Sequence, residues 1–257
     1  MLTQIVLVAL MIPTPRIAPE TLSAVPTSVS TERGEVIAKT KDGKTRWKNT
    51  WAMEKKSEGG KPVLYFTENG EGIHHPFTQE VHWSITSVWA NDGALLPLRS
   101  ESSYSDARGL MLSRETRKFD WSRNQVQIDK TDPKTNRTTT QTIKIPPDTL
   151  SVDGIAWILR GLDLSRTSPF NAHLLTNEPK VYEISLEVRG KAKVLTKDGV
   201  VDGYKVELVP HLGILSPLRV FYPKAYFWFR ADSEHTWLRY EGLENGPGSP
   251  EISLEMR

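Results

Sequence analysis

The chain has 257 residues, a hydrophobic fraction of 38% and a net charge of +2 from 33 basic and 31 acidic side chains. That is enough apolar material for one sizeable core, while the balanced charge gives no electrostatic case for nucleic acid or an anionic membrane surface, and a local basic cluster reads first as solvated surface. Zero cysteines exclude disulfides, thiolate metal sites and a cysteine-linked lipid anchor.

Residues 1–12 (MLTQIVLVALMI) form an apolar run too short to cross a bilayer as a helix, followed by Pro13 and Pro15. The run reads as the core of a secretory signal over residues 1–18, which places the protein in the periplasm or outside the cell. Two features depart from that pattern: no Lys or Arg precedes the run, and Arg16-Ile17-Ala18 makes a poor cleavage site. A disordered N-terminus or a buried first strand is the competing reading. Residues 19–34, rich in Pro, Ser and Thr, read as a disordered linker, and 35–257 as a single domain.

From there the pattern has the period of a strand. Trp47, Trp51 and Met53 share one face of residues 45–53; Val81, Trp83, Ile85 and Trp89 share one face of 81–89, opposite His82, Ser84 and Thr86. Asp42-Gly43, Asn69-Gly70 and Asp92-Gly93 read as hairpin turns between such segments. Further strands are expected over 95–104, 110–119, 125–130 and 138–145, ending at Pro146-Pro147.

Residues 148–164 (DTLSVDGIAWILRGLDL) change the period. They predict a helix over about 149–161, capped by Asp148 or Ser151, with Ile155, Ile158, Leu159 and Leu162 on one face and Gly161 ending it after about three turns. Past Pro169 the strands resume: Tyr182, Ile184, Leu186 and Val188 alternate with polar residues, as do Tyr204, Val206 and Leu208. Residues 226–229 (YFWF) are apolar on both sides, and two strands close the chain over 236–241 and 251–256. The expected fold is mainly β, a single antiparallel curved sheet or half-barrel of roughly ten strands wrapped over one short helix.

Chemistry-bearing clusters are sparse. His74, His75 and His82, with Glu80 between them, match no recognised ligand spacing and read as surface. Asp120, Asp148, Asp153 and Asp163 fall at turns or helix ends, where capping is the ordinary use of Asp. No nucleophile elbow, P-loop, zinc-protease or dinucleotide motif occurs, and no cofactor or metal is expected. Arg160 sits among apolar residues, so its charge needs a carboxylate partner or a route to water. Trp47, Trp51, Trp83 and Trp89 either fill the core or line a cavity.

Residues 89–98 (WANDGALLPL), Arg117-Lys118-Phe119-Asp120, Asp148 with Leu150-Ser151 and Leu159-Arg160, 186–194 (LEVRGKAKV), 198–206 (DGVVDGYKV) and a closing W-L-R-Y-E-G strand resemble an uncharacterised family of bacterial exported proteins, a domain of unknown function. The likeness covers residues 35–257. It implies a β half-barrel over a helix, similar to the periplasmic lipoprotein-carrier (LolA/LolB-like) fold, whose members hold acyl chains in the concave face.

The leading expectation is an exported, non-enzymatic protein holding a lipid-like or other apolar ligand between curved sheet and helix. Its cavity would be lined by Trp47, Trp51, Trp83, Ile85, Trp89, Trp157, Ile158, Arg160, Tyr182, Ile184 and Trp228. The alternatives are a cell-envelope scaffold or adaptor that binds a protein partner through an exposed sheet edge, and a carbohydrate-binding or glycoside-hydrolysing protein. No nucleic acid and no transmembrane segment is expected. An apolar pocket between helix and sheet would favour the carrier, a packed core the adaptor, and facing carboxylates in an open Trp-lined groove the sugar reading.

Overall fold

The computed structural model describes residues 25–26, 28–93, 95–211, 223–246 and 248–257. The signal reading of residues 1–18 lies outside these, as do residues 19–24 and 27 of the linker reading. Fifteen strands among the described residues form one curved, unclosed sheet. β1 (Thr31–Thr40) opens inside the stretch read as linker. It begins an antiparallel meander through β2 (Thr45–Glu58), β3 (Lys61–Gly72), β4 (Val81–Ala90), β5 (Pro97–Asp106), β6 (Met111–Asp120), β7 (Gln125–Asp132) and β8 (Arg137–Lys144).

The second half starts at the opposite edge with β9 (Thr149–Ser151), parallel to β10 (Phe170–Leu175). It returns through β11 (Val181–Thr196), β12 (Gly199–Pro210), β13 (Ala225–Arg230), β14 (Trp237–Leu243) and β15 (Glu251–Met256). β15 pairs antiparallel with β1, so the strand order runs from β8 to β1 and then from β15 to β9. β8 and β9 are thus the two edges, although only residues 145–148 join them in the chain. Five Cα steps of 3.80 Å hold Lys144 and Thr149 within about 19 Å of each other, which demands a strongly curled sheet. Side chains bridge the gap: Val126, Ile128 and Ile145 from one edge pack with Leu175 from the other.

The strands number fifteen against the expected ten, and one of the three turn signals lies inside a strand. Asn69-Gly70 belongs to β3, where Gly70 faces Trp83 across the ladder. A Cβ on Gly70 would stand 2.1 Å from the Trp83 ring, so this glycine is there for close packing of the indole rather than for a turn.

The expected three-turn helix is the main correction. Only α1 (Ile155–Ile158) is α-helical, followed by a single 3-10 turn at Leu159–Gly161. Residues Thr149–Ser151, expected to start the helix, are β9: their ladder with His173–Leu175 satisfies the backbone that a helix would have used. Neither Asp148 nor Ser151 caps the helix. The N-cap is Gly154, left-handed at φ 79°, a conformation that stops the helix from extending backward. The Asp148 carboxylate instead lies 2.8 Å from His173 Nδ1.

All four α1 side chains are buried in the one large core on the inner face of the sheet. Trp157 is its hub: the ring centroids of Phe66, Trp51 and Trp237 lie 4.3, 5.1 and 5.3 Å from its own. Trp157→Ala should therefore cost about 3–5 kcal/mol of unfolding free energy, through lost transfer and the cavity left behind. Urea denaturation followed by circular dichroism measures this; a change under about 1 kcal/mol would show that the rings close over the gap.

Candidate functional site

Most of the aromatic and aliphatic residues singled out in the sequence meet in the inner core. Trp47, Trp51, Trp83, Trp89, Trp157, Ile158 and Ile184 are buried together there, with Ile85 and Tyr182 partly buried against them. They pack ring on ring, and no acyl chain fits between Trp157 and the three rings it touches. Trp228 is the exception. It alternates with Phe227 and Phe229 and so faces outward, into a small cluster with Val194 and Leu238 on the other side of β13. A stretch apolar on both sides identifies a strand covered twice, without saying which side holds the main core.

Arg160 is 1% exposed and fully used. Its Nη1 donates to Glu32 Oε2 at 2.7 Å and its Nη2 to Glu32 Oε1 and to the Pro26 carbonyl, each at 3.2 Å; its Nε donates to the Glu234 carbonyl at 3.1 Å. His235 Nδ1 lies 3.2 Å from the Arg160 carbonyl oxygen. The guanidinium ties the helix to β1, to the segment before it and to the turn between β13 and β14. Its carboxylate partner lay hidden in the stretch read as linker.

The open part of the inner face is polar, and no sequence signal pointed to it. Register makes Trp51, Glu68, Ile85, Ser102, Glu115, Lys130 and Thr139 successive cross-strand partners from β2 to β8. The row passes from buried Trp51 through half-buried Glu68, Ile85, Ser102 and Glu115 to exposed Lys130 and Thr139. Burial pushes the Glu68 carboxyl above the usual carboxylate range and Asp153 adds to the rise, against hydrogen bonds from Trp83 and Asn49. The Trp83 Nε1–H donates to Glu68 at 2.7 Å. Arg117, also buried, donates to Glu115 at 2.7 Å and to the Asn177 carbonyl at 2.9 Å, linking β6 to the turn between β10 and β11. Asp153, expected to serve as a cap, instead adds its charge beside Glu68.

The row ends on β8, the free edge. Residues Arg137–Thr142 are exposed, and Ile143 is half-buried. The Ile145 N–H donates to the Asn124 carbonyl at 2.9 Å, which fixes the alternation of the ladder: Thr138, Thr140 and Thr142 point their backbone N–H and C=O groups away from β7. Natural edges are guarded by inward charges, proline, bulges or shortness. This one has charge only at its two ends, Arg137 and Lys144, and between them carries Thr-Thr-Thr-Gln-Thr-Ile with no proline, bulge or inward charge. The histidines form no such site. His74 is buried among Trp47, Trp83 and Tyr104, where burial lowers its pKa, while His82 is exposed on the opposite face of β4 from Trp83.

A family model described as a protein of unknown function (DUF3108) matches residues 43–254. The chain belongs to this family. No curated protein matches it. Two solved structures are similar over 91% of the chain. One, designated an exported protein with a YmcC-like fold, comes from Bacteroides fragilis and is 10% identical, with 97% of its own chain covered and a TM-score of 0.34. The other, designated a lipoprotein, comes from Parabacteroides distasonis and is 9% identical, with 99% covered and a TM-score of 0.35. Among the described residues no helix of this chain is long and apolar enough to cross a membrane.

Two outcomes test this geometry. Arg160→Leu leaves Glu32 and two carbonyls without their donor and should destabilise the fold by about 3–5 kcal/mol, read from urea midpoints. For Glu68, a raised folded pKa means stability that is complete below the ordinary carboxylate pKa of 4.5 and is lost as pH rises through the raised value. Glu68→Gln, which can still accept from Trp83, should remove that slope and gain on the parent protein as pH rises; parallel stability curves from pH 4 to 8 would contradict it.

Proposed function

We propose that the protein is a non-enzymatic, extracytoplasmic adaptor that binds an extended segment of a protein partner by strand addition at β8. The observation that carries this reading is the unguarded edge, whose Thr138, Thr140 and Thr142 offer outward backbone donors and acceptors along an exposed strand. Main-chain hydrogen bonds would supply affinity, and the polar row ending at Lys130 and Thr139 would give the incoming strand side-chain contacts. The extracytoplasmic placement rests on the apolar run at residues 1–12.

The packed interior weighs against the carrier reading. An acyl chain between helix and sheet would have to displace Trp157 from Phe66, Trp51 and Trp237. Kinship with the lipoprotein-carrier half-barrel fits only at the level of a curved sheet over a short helix. The sugar reading has Glu68 and Asp153 in its favour, but it needs aromatic faces open to a ring. Trp47, Trp51, Trp83 and Trp89 are each no more than 6% exposed.

Proline is tolerated on an edge strand where the N–H it removes faces solvent. Thr142→Pro should therefore leave the β7–β8 ladder and the circular dichroism spectrum intact while removing one outward donor. With no native cysteine, Thr140→Cys carries a crosslinker at one defined point. In cells it should trap a defined envelope protein, and adding Thr142→Pro should reduce that product about tenfold, the equivalent of roughly 1.4 kcal/mol. Trapping that is indifferent to the proline, or native mass spectrometry showing bound lipid without a protein partner, would defeat the proposal.

A further inference from the structure

The free edge is complementary to itself. Thr138, Thr140, Thr142 and Lys144 alternate with the β8 residues bonded to β7, so all four turn their backbone N–H and C=O groups to the open side. Laid antiparallel against β8 of a second copy, they pair completely in one register: Thr138 with Lys144 and Thr140 with Thr142, each pair occurring twice about a two-fold axis. That ladder has about eight main-chain hydrogen bonds, two for each of its four pairs. A slip of two residues one way sets Lys144 against Asn136, which stands at φ 51° in the β7–β8 turn and off the ladder. The same slip the other way sets Thr138 against Pro146, which has no N–H to give.

The side chains fit this register. On the inner face Gln141 meets its own counterpart at the axis, where each amide offers both donor and acceptor, and half-buried Ile143 meets Thr139. On the outer face Thr140 meets Thr142. Threonines already pair this way within the chain, where the Oγ1 atoms of Thr131 and Thr138 lie 2.9 Å apart. The cations are kept from facing one another: Lys144 lies opposite Thr138 and turns its ammonium back to the Arg123 carbonyl at 3.1 Å, while Arg137 stands across its own hairpin from Asp132. The other edge of the sheet offers no alternative. β9 is three residues long and buried, so β8 of one copy cannot add to β9 of the next, and the pairing closes as a two-fold dimer instead of running on as a filament.

We infer that a second copy of this chain caps β8, in an antiparallel two-fold dimer centred on Gln141 that joins the two sheets into one. The inference rests on the strand-addition reading and names what holds the edge until a partner segment arrives. Copy and partner compete for the same backbone groups, so the dimer is the resting form, and it protects an edge that would otherwise pair indiscriminately.

Purified full-length protein supplies the test. Light scattering after size exclusion should give twice the 29.0 kDa of one chain at high concentration and fall toward a single chain on dilution. With no native cysteine to interfere, Gln141→Cys should form an intermolecular disulfide on mild oxidation, because directly opposed Cα atoms about 4.5 Å apart lie within disulfide reach. Thr139→Cys should not, since its counterpart stands roughly 14 Å away along the ladder. Thr142→Pro takes one donor from each copy and should weaken the dimer about a hundredfold, tenfold for each donor. A single chain at every concentration, a disulfide that forms as readily at Thr139→Cys as at Gln141→Cys, or a dimer indifferent to Thr142→Pro would overturn the inference. If the crosslinker on Thr140→Cys then still traps a different protein in cells, sensitive to the proline, only the dimer falls and strand addition stands; loss of that product as well removes the reading beneath it.

Discussion

The ladder between β1 and β15 is what makes one sheet out of two meanders. Each meander is built of neighbours in the chain, but this pairing joins residues such as Val36 and Met256, at opposite ends of the described sequence. It carries the buried Val36 and Ala38 into the core and ends with the Arg257 N–H donating to the Glu35 carbonyl at 2.9 Å. Loop closure of this span costs entropy that the pairing alone does not repay, so the ladder depends on the core beneath it. That core is what α1 supplies. Arg160 reaches from the helix to Glu32 on β1, fastening the first strand to the same helix whose Trp157 supports the strands on either side.

Curvature follows from the same arrangement. The short link over residues 145–148 forces the sheet edges toward each other, yet no ladder closes them. β9 and β8 meet that situation differently. β9 is three residues long and buried; β8 has eight residues and is exposed almost throughout. Closing the barrel would have satisfied both edges, as complete barrels do. Leu175 and Arg117 instead fill the gap with side chains, which holds the curvature while leaving one edge's backbone unpaired.

Much of this was legible in the residues. Alternation in 45–53 and 81–89 identified the inner face of β2 and β4, because Trp is costly to expose and its neighbours are polar. The helix was legible as a location but not as a length. Its apolar spacing is real, yet local pattern could not show that Thr149–Ser151 has a parallel partner twenty-four residues on, or that Gly154 sits at positive φ. Arg160 was recognisable as a charge in need of a partner; Glu32 could not be found because β1 begins inside the stretch read as a Pro-, Ser- and Thr-rich linker. The polar row was invisible for a different reason. Glu68, Ser102 and Glu115 come from three strands, and only register puts them side by side.

A rigid interior and an open edge are complementary rather than competing features. Strand addition demands that an edge keep its twist before the partner arrives, since ordering it at the moment of binding subtracts from affinity. β8 has neighbours on one side only, so its geometry is inherited strand by strand from β4 and β3, and theirs from the indoles clustered around Trp157. The packing that leaves no room for an acyl chain is therefore also what gives the Thr-rich edge a fixed shape. An interior that opened to admit lipid would loosen that support, and the outward donors of Thr138, Thr140 and Thr142 would lose the alignment that the proposed strand addition needs.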